Sequence, residues 1–309
     1  MTTNRSHVIL GGNGVTGRET ARALLARGQT VASFGRRPST IADVRSIVGD
    51  VLNASDVSGA LIGADVAYIT VGIAYSTRVW ARQWPIILGN SIDAAIANNT
   101  HLIYLDNVYA YGQVDGLMTE HSPISPDSKK GQIRADALGT FATAASTRGL
   151  DYTVARSADF YGPGATTSVF NSFAIDKIAD GKMGTWLYDV DQPHSLTYTL
   201  DIGNALAVLG TTSRGNGEVW HLPTSPALTG REYIRLANGT DAQPKVMTKS
   251  AMRIGGLFIR DARESLELSY QNTEPYLFDS SAFEEKFGVS ATPVAIGIAE
   301  SLSAARASA

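Results

Sequence analysis

Short apolar runs alternate, through the first half of the chain, with segments whose apolar residues recur at helical spacing. The runs fall at residues 7–10, 30–34, 64–69, 101–105 and 152–155, each too short for a helix and bounded by turn formers, so each predicts a strand. Between the first two, Ala21, Leu24 and Leu25 form one helical stripe, with Gly28 as the C-terminal cap. Farther on, Ile133, Ala137, Leu138 and Phe141 repeat the i, i+4, i+5, i+8 pattern. Strand and helix alternating in this way require right-handed crossovers, hence an α/β fold: a doubly wound parallel sheet with helices on both faces.

The rhythm changes after about Phe160. Tyr161-Gly162-Pro163-Gly164 reads as a turn, and shorter, irregular segments rich in Gly, Pro and Ser follow. The expected division is a sheet domain over residues 1–160 and a smaller region over 161–309, partly interleaved with the sheet. An alanine-rich helix around residues 135–145 permits close helix approach, either within the chain or at a dimer seam.

Composition narrows the function classes. In 309 residues, 26 basic side chains face 29 acidic ones, a net charge of −3, without the clustered basic excess that a nucleic acid or acidic membrane requires. The absence of cysteine excludes a disulfide scaffold, a thiolate zinc site and a cysteine nucleophile, and fits a reducing compartment. The five histidines (His7, His101, His121, His194, His221) show no i, i+4 pair, so no metal site is expected; nor is there a G-x-S-x-G elbow. The amino terminus enters an apolar strand without a signal-peptide pattern, and the most apolar segment, residues 59–75, is interrupted by Asp65. A cytoplasmic protein with no membrane span is the expectation.

The strongest motif is Leu10-Gly11-Gly12-Asn13-Gly14-Val15-Thr16-Gly17, between the first strand and the first helix. It satisfies G-x-G-x-x-G through Gly12, Gly14 and Gly17, and G-x-x-G-x-x-G through Gly11, Gly14 and Gly17. Small residues there allow a tight turn, backbone approach to a pyrophosphate and close packing of helix on strand, while the helix N-terminus offers amide hydrogens to the phosphates. A Walker A loop is excluded, because Arg18 and Glu19 stand where Lys and Ser/Thr are needed. An NAD site places an acid at the end of the second strand; here Gly35 is followed by Arg36 and Arg37. Two guanidiniums without a carboxylate favour NADP(H) over NAD(H). The plain alternative is a pair of solvated arginines before Pro38.

Later segments add a resemblance. Gly49-Asp50-Val51 resembles the adenine-side G-D-φ of extended short-chain dehydrogenase/reductases, and Asp106-Asn107-Val108-Tyr109-Ala110-Tyr111-Gly112 is similar to their S-S-x-x-V-Y-G. Arg156-Ser157-Ala158-Asp159-Phe160-Tyr161-Gly162-Pro163-Gly164 matches R-x-x-N-x-Y-G-P-G, and Tyr198-Thr199-Leu200-Asp201-Ile202 looks like F-x-x-V-x-D-φ. Together they resemble an atypical branch of the NAD-dependent epimerase/dehydratase family. That resemblance implies an NAD(P)-binding Rossmann domain followed by a substrate-binding region. The cofactor would touch Gly11, Asn13, Gly14, Val15, Thr16, Gly17, Arg36, Arg37, Asp50, Val51, Val71, Gly72 and Ser157. It also implies that a homodimer would use helices over residues 80–98 and 133–147.

The catalytic pattern departs from that family. Its Tyr-x-x-x-Lys pair is absent: no tyrosine has lysine four residues later, and only Tyr152, on a strand, is followed there by a basic residue, Arg156. By register the pair falls on Lys130 and Arg134, and the family's Ser/Thr on Asn107. On one strand face, Asn107 would polarise a carbonyl while Tyr109, helped by Lys130, moves a proton; Arg134 would hold charge or bind the cofactor ribose. The alternative makes Tyr109 and Tyr111 pocket walls, and Lys130 part of a solvated run with Lys129. Tyr111, Asp159 and His194 are candidate substrate contacts, with His194 standing where nucleotide-sugar enzymes present an arginine. Tyr75, Trp80, Trp84, Tyr276 and Phe278 are candidate pocket aromatics, although the spacing of Trp80 and Trp84 also suits core packing. The expected activity is NADP(H)-dependent hydride transfer on a small carbonyl or alcohol; the alternatives are epimerisation or dehydration of a sugar-like substrate and a non-catalytic cofactor sensor.

Overall fold

The computed structural model describes residues 4–212, 215–239 and 243–308. Seven strands form one sheet: β1 (Ser6–Leu10), β2 (Thr30–Gly35), β3 (Arg45–Val48), β4 (Val66–Ile69), β5 (His101–Asp106), β6 (Tyr152–Arg156) and β7 (Val219–His221). Their spatial order is β7-β6-β5-β4-β1-β2-β3, and every adjacent pair is parallel. The strand order reverses between β1 and β4, the place where an open parallel sheet leaves a crevice at its carboxyl end.

Successive side chains in the central strands go to opposite cores, as the period of two demands. Val8 and Leu10 join one apolar cluster with Ala67, Ile69, Leu102 and Tyr104, which α2 (Ala54–Leu61), α3 (Thr77–Asn98) and α4 (Lys129–Arg148) cover. Ile9 joins the opposite cluster with Val66, Tyr68 and Ile103, covered by α1 (Val15–Ala26) and α5 (Thr199–Thr211). Burial on both faces explains why these strands read as continuous apolar runs and not as alternating ones. The α4 stripe packs inward through Ala137, Phe141 and Ala144. Ser128 starts that helix by accepting the Gly131 amide (2.9 Å), and Gly149, at φ 71°, ends it.

The second half of the chain has its own core, in which Tyr161, Phe170, Trp186 and Tyr198 pack with α6 (Gly230–Asn238) and α7 (Val294–Ser308). Two short parallel ladders tie it to the sheet's carboxyl end: Asp159–Tyr161 with Leu196–Tyr198, and Leu117–Met118 with Leu277–Phe278. The second half also returns to the main sheet, since β7 pairs with β6 in the register Val219 to Val154. Among the described residues no helix is long and apolar enough to cross a membrane.

Candidate active site

The chain leaves β1 through Gly11, whose φ of 90° suits glycine. The turn closes with Gly12 N–H on Ile9 O (3.2 Å) and Gly14 N–H on Gly11 O (2.9 Å). A Cβ on Gly17 would fall 2.6 Å from Gly11 O and 2.8 Å from the Gly12 Cα, so backbone occupies the space a side chain would need. Gly14, exposed, begins α1 with no side-chain cap and no acid in the first turn. The amides of Val15, Thr16 and Gly17 therefore lack an intrahelical acceptor at the positive end of the helix dipole. The free amides and the dipole of this helix start suit the charge of a pyrophosphate.

The neighbouring strand ends complete the crevice. Asn13 Nδ2 donates to Arg37 O (2.7 Å), fastening the loop to the turn after β2, where Arg36 and Arg37 are exposed. Asp50 Oδ1 accepts the Leu52 amide (3.0 Å), and Asn90 Nδ2 donates to Val51 O (2.9 Å), fixing the turn after β3. Val71 follows β4 and lies against Gly11, and the adjacent Gly72 is exposed. Ser157 is buried just beyond β6, its amide donating to Asp106 O (3.1 Å).

β5 ends at Asp106, so Asn107 and Tyr109 do not share a strand face, contrary to the periodicity argument. Instead Asn107 Oδ1 accepts the Tyr109 amide (3.0 Å) and starts a 3-10 turn over Tyr109–Tyr111. The ring of Tyr109 stacks on Trp80, with centroids 6.3 Å apart. Burial pushes the Tyr109 phenol well above 10, and Tyr75 and Asp159 add to the effect.

The expected Lys130 support for Tyr109 is not formed. Lys130 is fully buried, and its Nζ donates to Glu267 Oε1 (2.7 Å), Glu264 Oε2 (2.8 Å), Glu264 O (2.9 Å) and Thr77 Oγ1 (3.2 Å). Three N–H bonds meet four acceptors, so the ammonium is spent on a clamp between α4 and the segment that carries both glutamates. It does not belong to a solvated run either, because only Lys129 is exposed. Burial alone would raise the Glu264 carboxyl, but hydrogen bonds from Lys130 and Thr77 outweigh it and bring the group down to about 2.

Arg134 is likewise turned into the core. Its guanidinium lies 4.1 Å from the Trp84 ring centroid and 4.7 Å from that of Trp80, and it hydrogen-bonds the Tyr104 hydroxyl. Asp106, 3.7 Å away, also pairs with Arg156 (3.2 Å). These contacts replace the expected ribose role. Tyr111 is corrected too: it is buried and bonds His221 Nε2 (2.7 Å), while His221 Nδ1 bonds Asp279 O (2.7 Å). Since a carbonyl only accepts, His221 is the Nδ1–H tautomer and the Tyr111 hydroxyl is the donor.

Asp159 and His194 are brought together, with Asp159 Oδ2 3.1 Å from His194 Nε2. His194 Nδ1 lies 2.9 Å from Gln271 O, and its ring stacks on Tyr276 at 4.3 Å. The Tyr276 hydroxyl accepts the Asp159 amide (3.2 Å). Tyr75 and Tyr276 were foreseen only as aromatics. Glu264 and Glu267 were missed, and the i, i+3 spacing of two acids was their one trace in the sequence.

Comparison with known proteins identifies the family and the fold. The model of a family described as NAD(P)H-binding matches residues 11–181. UDP-glucose 4-epimerase from Thermotoga maritima superposes with a TM-score of 0.79 at 18% identity, over 98% of this chain and 99% of that one. The NAD complex of UDP-glucuronic acid 4-epimerase from Bacillus cereus gives 0.79 at 15% identity, over 98% and 99%. A dTDP-glucose 4,6-dehydratase from Streptomyces venezuelae, solved with NAD, gives 0.77 at 18% identity, over 98% and 97%. A 3-beta-hydroxysteroid dehydrogenase from Mycolicibacterium neoaurum is 36% identical over 69 residues, which is 21% of this chain and only 19% of that enzyme. The chain thus belongs to the NAD(P)H-binding family and carries the Rossmann fold of the epimerases and dehydratases.

Proposed function

We propose that the protein is an NADP(H)-dependent oxidoreductase that interconverts a small carbonyl compound and its alcohol, in the cytoplasm. The carrying observation is the backbone-lined cradle of Gly11, Gly14 and Gly17 at an uncapped helix start. The amides of Val15, Thr16 and Gly17 would hold the pyrophosphate, Arg36 and Arg37 a 2′-phosphate, and Asp50 and Val51 the adenine side; Val71, Gly72 and Ser157 would complete the lining. A bound nicotinamide supplies or accepts hydride at its C4. The Asn107 carboxamide nitrogen would donate to the substrate carbonyl. Tyr109, kept protonated by burial, would act as a second donor and not as a phenolate base. Two copies would pair through α3 and α4.

Titration with NADPH and NADH, followed by NADPH oxidation against a panel of aldehydes and ketones, tests the reading. Binding that favours NADPH, with turnover of at least one carbonyl, is expected; no affinity for either nucleotide overturns it. A second reading, epimerisation or dehydration with retained cofactor, is favoured by the end-to-end superposition on such enzymes. It predicts turnover of a sugar-like substrate without net NADPH oxidation.

A further inference from the structure

We infer that Asp159 and His194 form a pair that stores one proton at the cleft and serves the substrate oxygen as acid and base, taking the place of a tyrosine and lysine couple. The pair follows from its hydrogen bonds; its role at a carbonyl oxygen rests on the oxidoreductase reading. His194 Nδ1 is 2.9 Å from Gln271 O, an atom that only accepts, so Nδ1 carries a hydrogen. His194 Nε2 is 3.1 Å from Asp159 Oδ2. A neutral imidazole protonated at Nδ1 would set the Nε2 lone pair against an ionised carboxylate, two acceptors with nothing between them. The contact is a bond only if a second proton lies there, as imidazolium with carboxylate or as imidazole with carboxylic acid.

The surroundings make that proton deliverable. His194 is buried, stacked on Tyr276 and edge-on to Trp186, and its carbonyl accepts the Tyr233 hydroxyl (2.9 Å). The Asp159 side chain stays 32% exposed, the open end of the pair. The Tyr276 hydroxyl touches Asp159 through the latter's amide (3.2 Å), and burial holds the phenols of Tyr75, Tyr109, Tyr270 and Tyr276 protonated, with the Asp159 charge adding to the effect. The charges of Glu264 and Glu267 raise Tyr75 further, and those of Asp127 and Glu267 raise Tyr270. The nearby ammonium of Lys130 is consumed by its glutamates. The shared proton is therefore the mobile one of this cluster.

As hydride would reach the carbonyl carbon from the broken dihydronicotinamide C4–H bond, the π pair would move onto oxygen, which would take the pair's proton as its bond to Asp159 or His194 breaks. Asp159 is left ionised and His194 neutral, with its hydrogen on Nδ1, and water at the exposed edge restores the proton. Alcohol oxidation runs the same transfer in reverse.

Nitrogen NMR of the full chain, labelled at the histidine imidazoles and free of cofactor, tests the pair directly. At neutral pH both His194 nitrogens should bear or share hydrogen, and Asp159→Asn, whose amide can donate to Nε2, should return the ring to the neutral Nδ1–H form. A bare, neutral Nε2 in the wild-type protein between pH 5 and 8 overturns the pair. In kinetics, Asp159→Asn should lower carbonyl turnover by about 100-fold and remove one limb of its pH profile, with NADPH affinity unchanged; an unchanged pH profile overturns the acid–base role. A protonated pair in a protein that reduces no carbonyl overturns the oxidoreductase reading and upholds the pair, so the two failures are distinguishable.

Discussion

Arg36 and Arg37 occupy the turn where an acid would bind a ribose hydroxyl, and both side chains are exposed there. Replacing Arg36 with Asp should cut the preference for NADPH over NADH about tenfold, by loss of a charge-assisted phosphate contact and gain of a repelling carboxylate. Equal ratios in wild type and variant would remove Arg36 from that role. Lys130 invites a different measurement, since Lys130→Met leaves Glu264 and Glu267 without their cation. Urea unfolding should show a loss of about 3 kcal/mol, the usual cost of breaking an enclosed ion pair from one side. The position of Lys130 was legible by register with a family motif, but its partners were not. Glu264 lies 134 residues along the chain, and no local pattern announces so distant a contact. The spacing of Trp80 and Trp84 did point to packing, and their rings hold the Arg134 guanidinium.

At the scale of elements, the turn from β1 into α1 was the most readable part of the molecule because its reasons are local. Each glycine there makes room for neighbouring backbone or a short side chain. Gly17→Ala should therefore weaken NADPH binding at least tenfold and cost about 1–3 kcal/mol of stability, by overpacking against Gly11 and Gly12. Gly59 in α2 has nothing within 4 Å of a built Cβ, and Gly59→Ala should raise stability by up to about 1 kcal/mol through helix propensity. Parallel urea melts and cofactor titrations separate the two variants. The end of β5 was misread for an equally local reason. Alternation carries Asn107 onward as strand, whereas its side chain accepts the Tyr109 amide and bends the chain into a turn, a competition that hydrophobic periodicity does not register.

For the molecule as a whole, two buried histidines set an acid limit. Burial lowers His7 from 6.5 to about 4, and burial together with Arg156 lowers His221 to about 3. The unfolded chain binds protons at both below pH 6.5 while the folded one does not, so stability falls as pH drops from 6.5 toward those values. Between pH 7 and 5.5 the loss should reach about 2–3 kcal/mol in urea unfolding, near 1.4 kcal/mol per unit for each group. Glu264, held at about 2, keeps its contribution until pH falls below 4.5 and does not mask the trend. A stability independent of pH in that window would mean that both of these rings are solvated, and half the expected loss that one of them is. The outermost strand has a consequence for handling the protein. β7 arrives from beyond residue 160 and satisfies the β6 backbone through Val154 N–H to Glu218 O (3.1 Å) and Leu222 N–H to Arg156 O (2.8 Å). A fragment cut after residue 160 would bare that flank as a sticky template for other copies, and should collect in inclusion bodies even though its nucleotide cradle is intact.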